Sequence, residues 1–194
     1  MKLVILDRDG TINEDSAEYI KSPSEWQPLP GALEAIARLN HAGWQVVVAT
    51  NQSGLGRGLF DMAALNAMHA KMNTMLAAVG GRVDAIFFCP HAPDEGCRCR
   101  KPEPGLFEQI GERYGVDLNG VPAVGDSPRD LVAAMAAGCG PHLVLTGKAF
   151  PYRSKPLPPG YAGAEVVHQD LAAFADYLIA QEVRPSKAAE LGDY

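Results

Sequence analysis

Asp7 and Asp9, two carboxylates one residue apart, stand at the end of the apolar run Leu3-Val4-Ile5-Leu6 and are followed by Gly10 and Thr11. In such a pair one carboxylate can attack an electrophile covalently while the other handles protons. Two further apolar runs end in polar signatures, Thr50-Asn51-Gln52-Ser53-Gly54 and Gly125-Asp126-Ser127-Pro128-Arg129-Asp130. A single aspartate after a strand is as often a turn or helix cap as a site. Three such endings meeting at one sheet edge would gather Asp7, Asp9 and Asp126 into a strongly negative pocket, which is costly without a cation. Magnesium suits a site with few protein oxygens whose remaining ligands are waters and a phosphate. Thr50 and Lys101 add a hydroxyl and a positive charge for phosphoryl oxygens, so the predicted chemistry is phosphoryl transfer. Asp130 reads either as a further member of this site or as a bystander, a carboxylate behind the metal ligands or on the helix surface.

A second cluster lies in Cys89-Pro90-His91-Ala92-Pro93-Asp94-Glu95-Gly96-Cys97-Arg98-Cys99, where three sulfurs and an imidazole fall within eleven residues. This fits a Cys3His zinc site, and because Cys89, His91, Cys97 and Cys99 fill all four positions the zinc would be structural. A redox pair between Cys97 and Cys99 is the competing reading, and intracellular disulfides are uncommon. Arg100 and Lys101 follow Cys99 directly, so the loop would aim both cations at the pocket. Cys139 stands apart and reads as a packed thiol.

The elements that must position these groups follow from periodicity. Strands are expected at residues 3–6, 44–49, 84–88, 122–124, 142–145 and 165–167, and helices at 31–42, 61–79, 104–114, 128–138 and 170–180. Leu65, Met68, Met72, Leu76 and Val79 recur at helical spacing and read as core. Residues 151–159 are expected to form an exposed loop, and His41, His69, His142 and His168 to be surface or packing residues. Gly54-Leu55-Gly56-Arg57-Gly58 matches neither a dinucleotide fingerprint nor a P-loop. Strand–helix alternation predicts an α/β fold, a doubly wound, mainly parallel sheet.

The chain has 194 residues, 47% of them hydrophobic, which fits one domain over 1–182 with a flexible tail over 183–194. A net charge of -6 argues against nucleic acid or an anionic membrane as partner. The start Met1-Lys2 leads into a strand instead of a signal peptide, and no apolar run has membrane length; a cytoplasmic monomer is expected.

Asp7 and Asp9, Thr50, Lys101 and Asp126, in that order along the chain, resemble the motif set of the haloacid-dehalogenase-like phosphatases. The resemblance implies that Asp7 is the nucleophile, forming an aspartyl-phosphate, and that Asp9 protonates the leaving alcohol and then activates water. It also implies magnesium held by Asp7, the Asp9 backbone carbonyl and Asp126. The zinc loop followed by Arg100-Lys101-Pro102, with Thr50-Asn51-Gln52-Ser53-Gly54, is similar to the subgroup of heptose bisphosphate and histidinol-phosphate phosphatases, over about residues 3–147. Residues Asn51 to Gly58 look like the heptose version, whereas the five-residue spacer between His91 and Cys97 is as short as in the histidinol branch. The implied activity is removal of the 7-phosphate from D-glycero-D-manno-heptose 1,7-bisphosphate, a small phosphorylated sugar, on the way to ADP-heptose for lipopolysaccharide. Hydrolysis of histidinol phosphate is the alternative, and a zinc-stabilised binding module without catalysis is the non-enzymatic one. By the same resemblance Asp15, Ser16, Ala17, Glu18, Thr50, Asn51, Gln52, Ser53, Arg100 and Lys101 line the substrate site. Arg57 either meets a second phosphate or is a solvated loop charge. The stretches from Thr11 to Pro30 and from Gly54 to Asp61 are too short for a large cap domain.

Overall fold

All four residues of the first strand, Leu3 to Leu6, are buried, because helices cover both faces of the sheet to which it belongs. The computed structural model describes residues 1–183. Strands β1 (Leu3–Leu6), β2 (Gln45–Asn51), β3 (Ala85–Cys89), β4 (Pro122–Gly125), β5 (Gly140–Val144) and β6 (Val166–His168) form one parallel sheet in the order β3-β2-β1-β4-β5-β6. Between them run α1 (Ala32–His41), α2 (Ser53–Gly56), α3 (Met62–Ala78), α4 (Gly105–Tyr114), α5 (Pro128–Ala136) and α6 (Leu171–Val183). Successive strand residues point to opposite faces. Val4, Leu6, Val46 and Val48 pack with α1, α3 and α6, whereas Leu3, Ile5, Val47 and Ala49 pack with α4 and α5.

The strand order reverses direction about β1, which is flanked by β2 on one side and β4 on the other. Such a switch point opens a crevice beyond the carboxyl ends of the strands. Asp7 therefore leaves the sheet at its centre.

The expected elements are present with end shifts of up to three residues, but Val79, expected in the core, is the exposed C-cap of α3. Two further features differ. The glycine segment after β2 contains the short helix α2, and part of the expected exposed loop is taken up by 3-10 turns at Gly147–Arg153 and Pro159–Tyr161. Pro151 fits such a turn because its lost N–H has little to bond there. The expected tail over 183–194 begins with Val183, the last residue of α6; its remainder lies outside the described residues. No helix among the described residues is long and apolar enough to cross a membrane.

The segment between β1 and α1 carries only turns and isolated bridges, Asp9 to Asn13 and Asn13 to Pro28. It is pinned at Trp26, which is fully buried, and by Lys71 of α3, whose Nζ donates to the carbonyls of Pro23 (2.7 Å) and Trp26 (2.6 Å). These anchors hold residues 15–20 over the sheet edge. Among the histidines, His142 and His168 are packing residues: their facing ring nitrogens are 3.0 Å apart, and both rings meet Phe174 edge-on.

Phe174 is fully buried between α6 and the sheet. Phe174→Ala is expected to lower the free energy of unfolding by about 3–5 kcal/mol, read in a urea titration, with activity per folded molecule retained.

Candidate active site

Lys101 is 2% exposed, and its ammonium donates to Asp7 Oδ1 of the β1 end (2.8 Å), to the Ala49 carbonyl of β2 (2.8 Å) and to Asp130 Oδ1 of α5 (2.6 Å). Its backbone is fixed as firmly. Asn51 donates from Nδ2 to the Lys101 carbonyl (3.0 Å) and accepts at Oδ1 from the Lys101 N–H (2.9 Å). Burial alone would lower the Lys101 pKa, but the charges of Asp130 and Asp7 raise it, so the group is a permanent cation.

Asp130 faces inward because it closes a capping box at the start of α5, where Oδ2 accepts from the Ser127 N–H (3.0 Å) and hydroxyl (2.6 Å). Of its sequence-based alternatives, the helix surface is therefore excluded: Asp130 is buried and holds Lys101. Asp7, Asp126 and Asp130 each offer an oxygen within 4.8 Å of the others. Burial, the Asp130 charge and then the smaller opposing pull of Lys101 leave Asp7 raised to about 7, and burial with the charges of Asp130 and Asp7 pushes Asp126 well up. Three crowded carboxylates with one ammonium are short of positive charge. Oxygen donors of this kind, gathered within 4.8 Å of one another, fit a hard divalent cation in their chemistry.

Gly10 and Gly147 make this crowding achievable. Both have positive φ, 85° and 48°, and a Cβ on either would fall inside the Asp126 carboxylate. The two segments are also tied directly, since the Thr146 hydroxyl donates to the Gly10 carbonyl (2.6 Å) and the Lys148 N–H to Asp126 Oδ2 (2.7 Å).

Asp9 lives in the opposite environment. Its carboxylate accepts from Arg8 Nε (3.0 Å) and Nη2 (2.9 and 3.1 Å), Asn13 Nδ2 (2.9 Å) and Gln52 Nε2 (3.0 Å). Burial pushes its pKa up, but the Arg8 charge and these bonds outweigh it and hold Asp9 below the usual carboxylate range. Gln52 also donates to Thr50 Oγ1 (2.9 Å), which links the Asp9 carboxylate to the hydroxyl at the end of β2.

These groups line a cavity of about 230 Å³ together with Asp15, Ser16, Ala17, Asn51, Ser53 and Arg100. Arg100 contributes a buried Nη1 with no partner, a donor aimed at something the protein itself does not supply. Glu18 and Arg57 do not line this cavity; Glu18 is exposed, and Arg57 lies over the Tyr19 ring at 5.8 Å. Sequence reasoning missed Tyr19, Arg129 and Lys148, which do line it. Lys148 follows β5 as Asp126 follows β4, so the carboxyl-edge rule was the available signal; its Nζ pairs with Asp15 across the cavity mouth.

The cysteine loop forms a second group. Cys89 Sγ lies 3.5 Å from His91 Nδ1 and 3.6 Å from Cys97 Sγ, and His91 Nδ1 lies 3.3 Å from Cys99 Sγ. Bonds of about 2.3 Å to sulfur and 2.0–2.1 Å to nitrogen give tetrahedral edges of about 3.5–3.8 Å, so these four atoms fit zinc. All four cysteines are free thiols, so no Cys97–Cys99 bridge is present.

This chain is similar to several known proteins. A family model described as HAD-hydrolase-like matches residues 98–173, and one described as polynucleotide kinase 3 phosphatase matches residues 2–128. The D-glycero-beta-D-manno-heptose-1,7-bisphosphate 7-phosphatase of Bordetella bronchiseptica is 60% identical over 179 residues, covering 92% of this chain and 98% of that protein. Its counterpart of the same name in Pseudomonas aeruginosa is 56% identical over 177 residues, covering 91% and 97%. The crystal structure of the B. bronchiseptica D,D-heptose 1,7-bisphosphate phosphatase, complexed with magnesium and phosphate, superposes with a TM-score of 0.86 at 59% identity, covering 93% of this chain and 99% of that one. The carboxylate crevice and these relatives lead to one assignment: the chain belongs to the HAD-like hydrolases, in the family of the D-glycero-beta-D-manno-heptose-1,7-bisphosphate 7-phosphatases.

Proposed function

We propose that this protein hydrolyses the 7-phosphate of D-glycero-β-D-manno-heptose 1,7-bisphosphate through an aspartyl-phosphate on Asp7. The observation that carries the chemistry is the Asp7 carboxylate gripped by Lys101 beside Asp126 and Asp130 at the base of an open cavity. The substrate follows the names of the relatives, which favour the heptose bisphosphate over histidinol phosphate.

In the first step an Asp7 oxygen attacks the 7-phosphorus and the bond to the sugar O7 breaks. Asp9 gives its proton to O7, so the sugar leaves as a neutral alcohol. Asp9, now a carboxylate, takes a proton from water, and the resulting oxygen attacks phosphorus and frees Asp7 and inorganic phosphate. Thr50 and Lys101 hold the phosphoryl oxygens as their charge redistributes, and the unpartnered Nη1 of Arg100 finds its acceptor there. The hold that Arg8 keeps on Asp9 favours its anionic form and so suits the second, water-activating half; in the first half the negative charge of the bound phosphate works the other way and favours the protonated acid that O7 needs.

Magnesium, held by Asp7, the Asp9 backbone carbonyl and Asp126, supplies the positive charge that neutralises the phosphoryl group. Asp130 serves it indirectly, by holding Lys101. Cys89, His91, Cys97 and Cys99 would hold a structural zinc, which would fix the loop that delivers Arg100 and Lys101. Asp15, Ser16, Ala17, Asn51, Gln52 and Ser53 surround the sugar. Glu18 and Arg57, outside the cavity, meet at most the end of a substrate that projects from it.

Three outcomes are expected. Purified protein should show kcat/KM for the heptose bisphosphate at least about a hundredfold above that for histidinol phosphate, and the reverse order would overturn the substrate. Asp7→Asn should reduce phosphate release by about a thousandfold or more while the thermal unfolding temperature stays within a few degrees, because a neutral isostere relieves the carboxylate crowding. Metal analysis should return about one zinc per chain, and Cys97→Ser should lower both the unfolding temperature and kcat; unchanged values would exclude a structural zinc.

A further inference from the structure

Arg8 is 0% exposed, and a guanidinium has only donors to offer. Three of its contacts go to the Asp9 carboxylate. On the far side Nη1 lies 3.0 Å from His69 Nε2, which comes from α3, sixty-one residues away in sequence. Because Arg8 cannot accept, Nε2 must, and the imidazole is fixed as the neutral Nδ1–H tautomer. Burial, then the Arg8 charge, push His69 down to about 4, in keeping with that neutral form.

His69 sits on the apolar stripe of α3 with Leu65, Met68, Met72 and Leu76, all buried. A histidine on such a stripe needs a polar partner, and here the partner is the arginine between the two reactive aspartates. The helix that carries it is itself secured by Lys71 to the carbonyls of Pro23 and Trp26. The chain of contacts therefore runs from a fixed helix, through His69 and Arg8, to the Asp9 side chain that borders the cavity.

The geometry points to His69 as a positioning residue: by accepting from Arg8 Nη1 it holds the guanidinium against Asp9 and thereby aims the Asp9 carboxyl at the leaving oxygen of the substrate. Without that acceptor Nη1 becomes a buried donor with no partner, and Arg8 must shift to find one. A shift of the fork loosens its two-point hold on Asp9. The inference rests on the proton-transfer role proposed above for Asp9, and it concerns residues that role does not include.

The test compares two esters across His69 variants. Proton donation matters for a sugar alkoxide, which is a poor leaving group, and little for a nitrophenolate, which leaves without it. His69→Leu is expected to lower kcat/KM for the heptose bisphosphate by about tenfold or more, and that for nitrophenyl phosphate by less than about threefold. His69→Gln, whose side-chain carbonyl can accept from Arg8, should remain within about threefold of the parent on both esters. Equal losses on the two esters, or a glutamine variant no better than leucine, would reduce His69 to a packing residue. If His69→Leu fails to fold, His69→Asn, polar but too short to reach Nη1, takes its place with the same expected split. A parent enzyme inactive on the heptose bisphosphate would overturn the substrate instead, and the split would then be read with a simple alkyl phosphate.

Discussion

The buried ammonium of Lys101 is the constraint on which the rest of the site depends. A charge taken out of water needs close partners of opposite sign, and removing one of them leaves the others uncompensated. Here the partners come from three separate elements, Asp7 after β1, the Ala49 carbonyl in β2 and Asp130 in α5. A loop that places one lysine at that junction fixes the relative positions of all three. The loop is held from both sides, by the paired bonds of Asn51 to the Lys101 backbone and by the compact Cys89, His91, Cys97 and Cys99 group just before it.

A second buried cation, Arg8, gives the neighbouring aspartates opposite characters. Asp7 shares its cation with Asp130 and sits among like charges, so burial and repulsion push it up to about 7. Asp9 accepts from a guanidinium, an asparagine and a glutamine and is held down. Two carboxylates one residue apart thus reach different proton affinities, and a divalent cation beside Asp7 would bring its affinity down, because it supplies the positive charge that the crowded carboxylates Asp7, Asp126 and Asp130 lack.

Much of this was legible in the sequence, because strand ends carry their own signal. The apolar runs before Asp7, Thr50 and Asp126 identified strands, and the parallel-sheet rule brought their ends together. The cysteine loop was legible because its ligands are local, separated by one to five residues. What sequence reasoning missed is what depends on distant partners. His69 looks like core on its helix, and only the fold brings Arg8 to it. Arg129 and Lys148 border the cavity because they follow the carboxyl ends of β4 and β5, a positional signal that residue type alone does not carry. Arg57, prominent in a glycine-rich segment, lies over Tyr19 outside the cavity, because α2 turns the chain there.

Gly10 and Gly147 close against the Asp126 carboxylate with no room for a side chain, and Thr146 ties the two segments together. This interlock divides the molecule into a part that tolerates variation and a part that does not. New substrate preferences must arise in residues 15–19 and in other rim positions, where side chains meet solvent, since any methyl group added at the interlock collides with the carboxylate it surrounds. Libraries aimed at new phosphate esters are best confined to that rim, with both glycines left untouched.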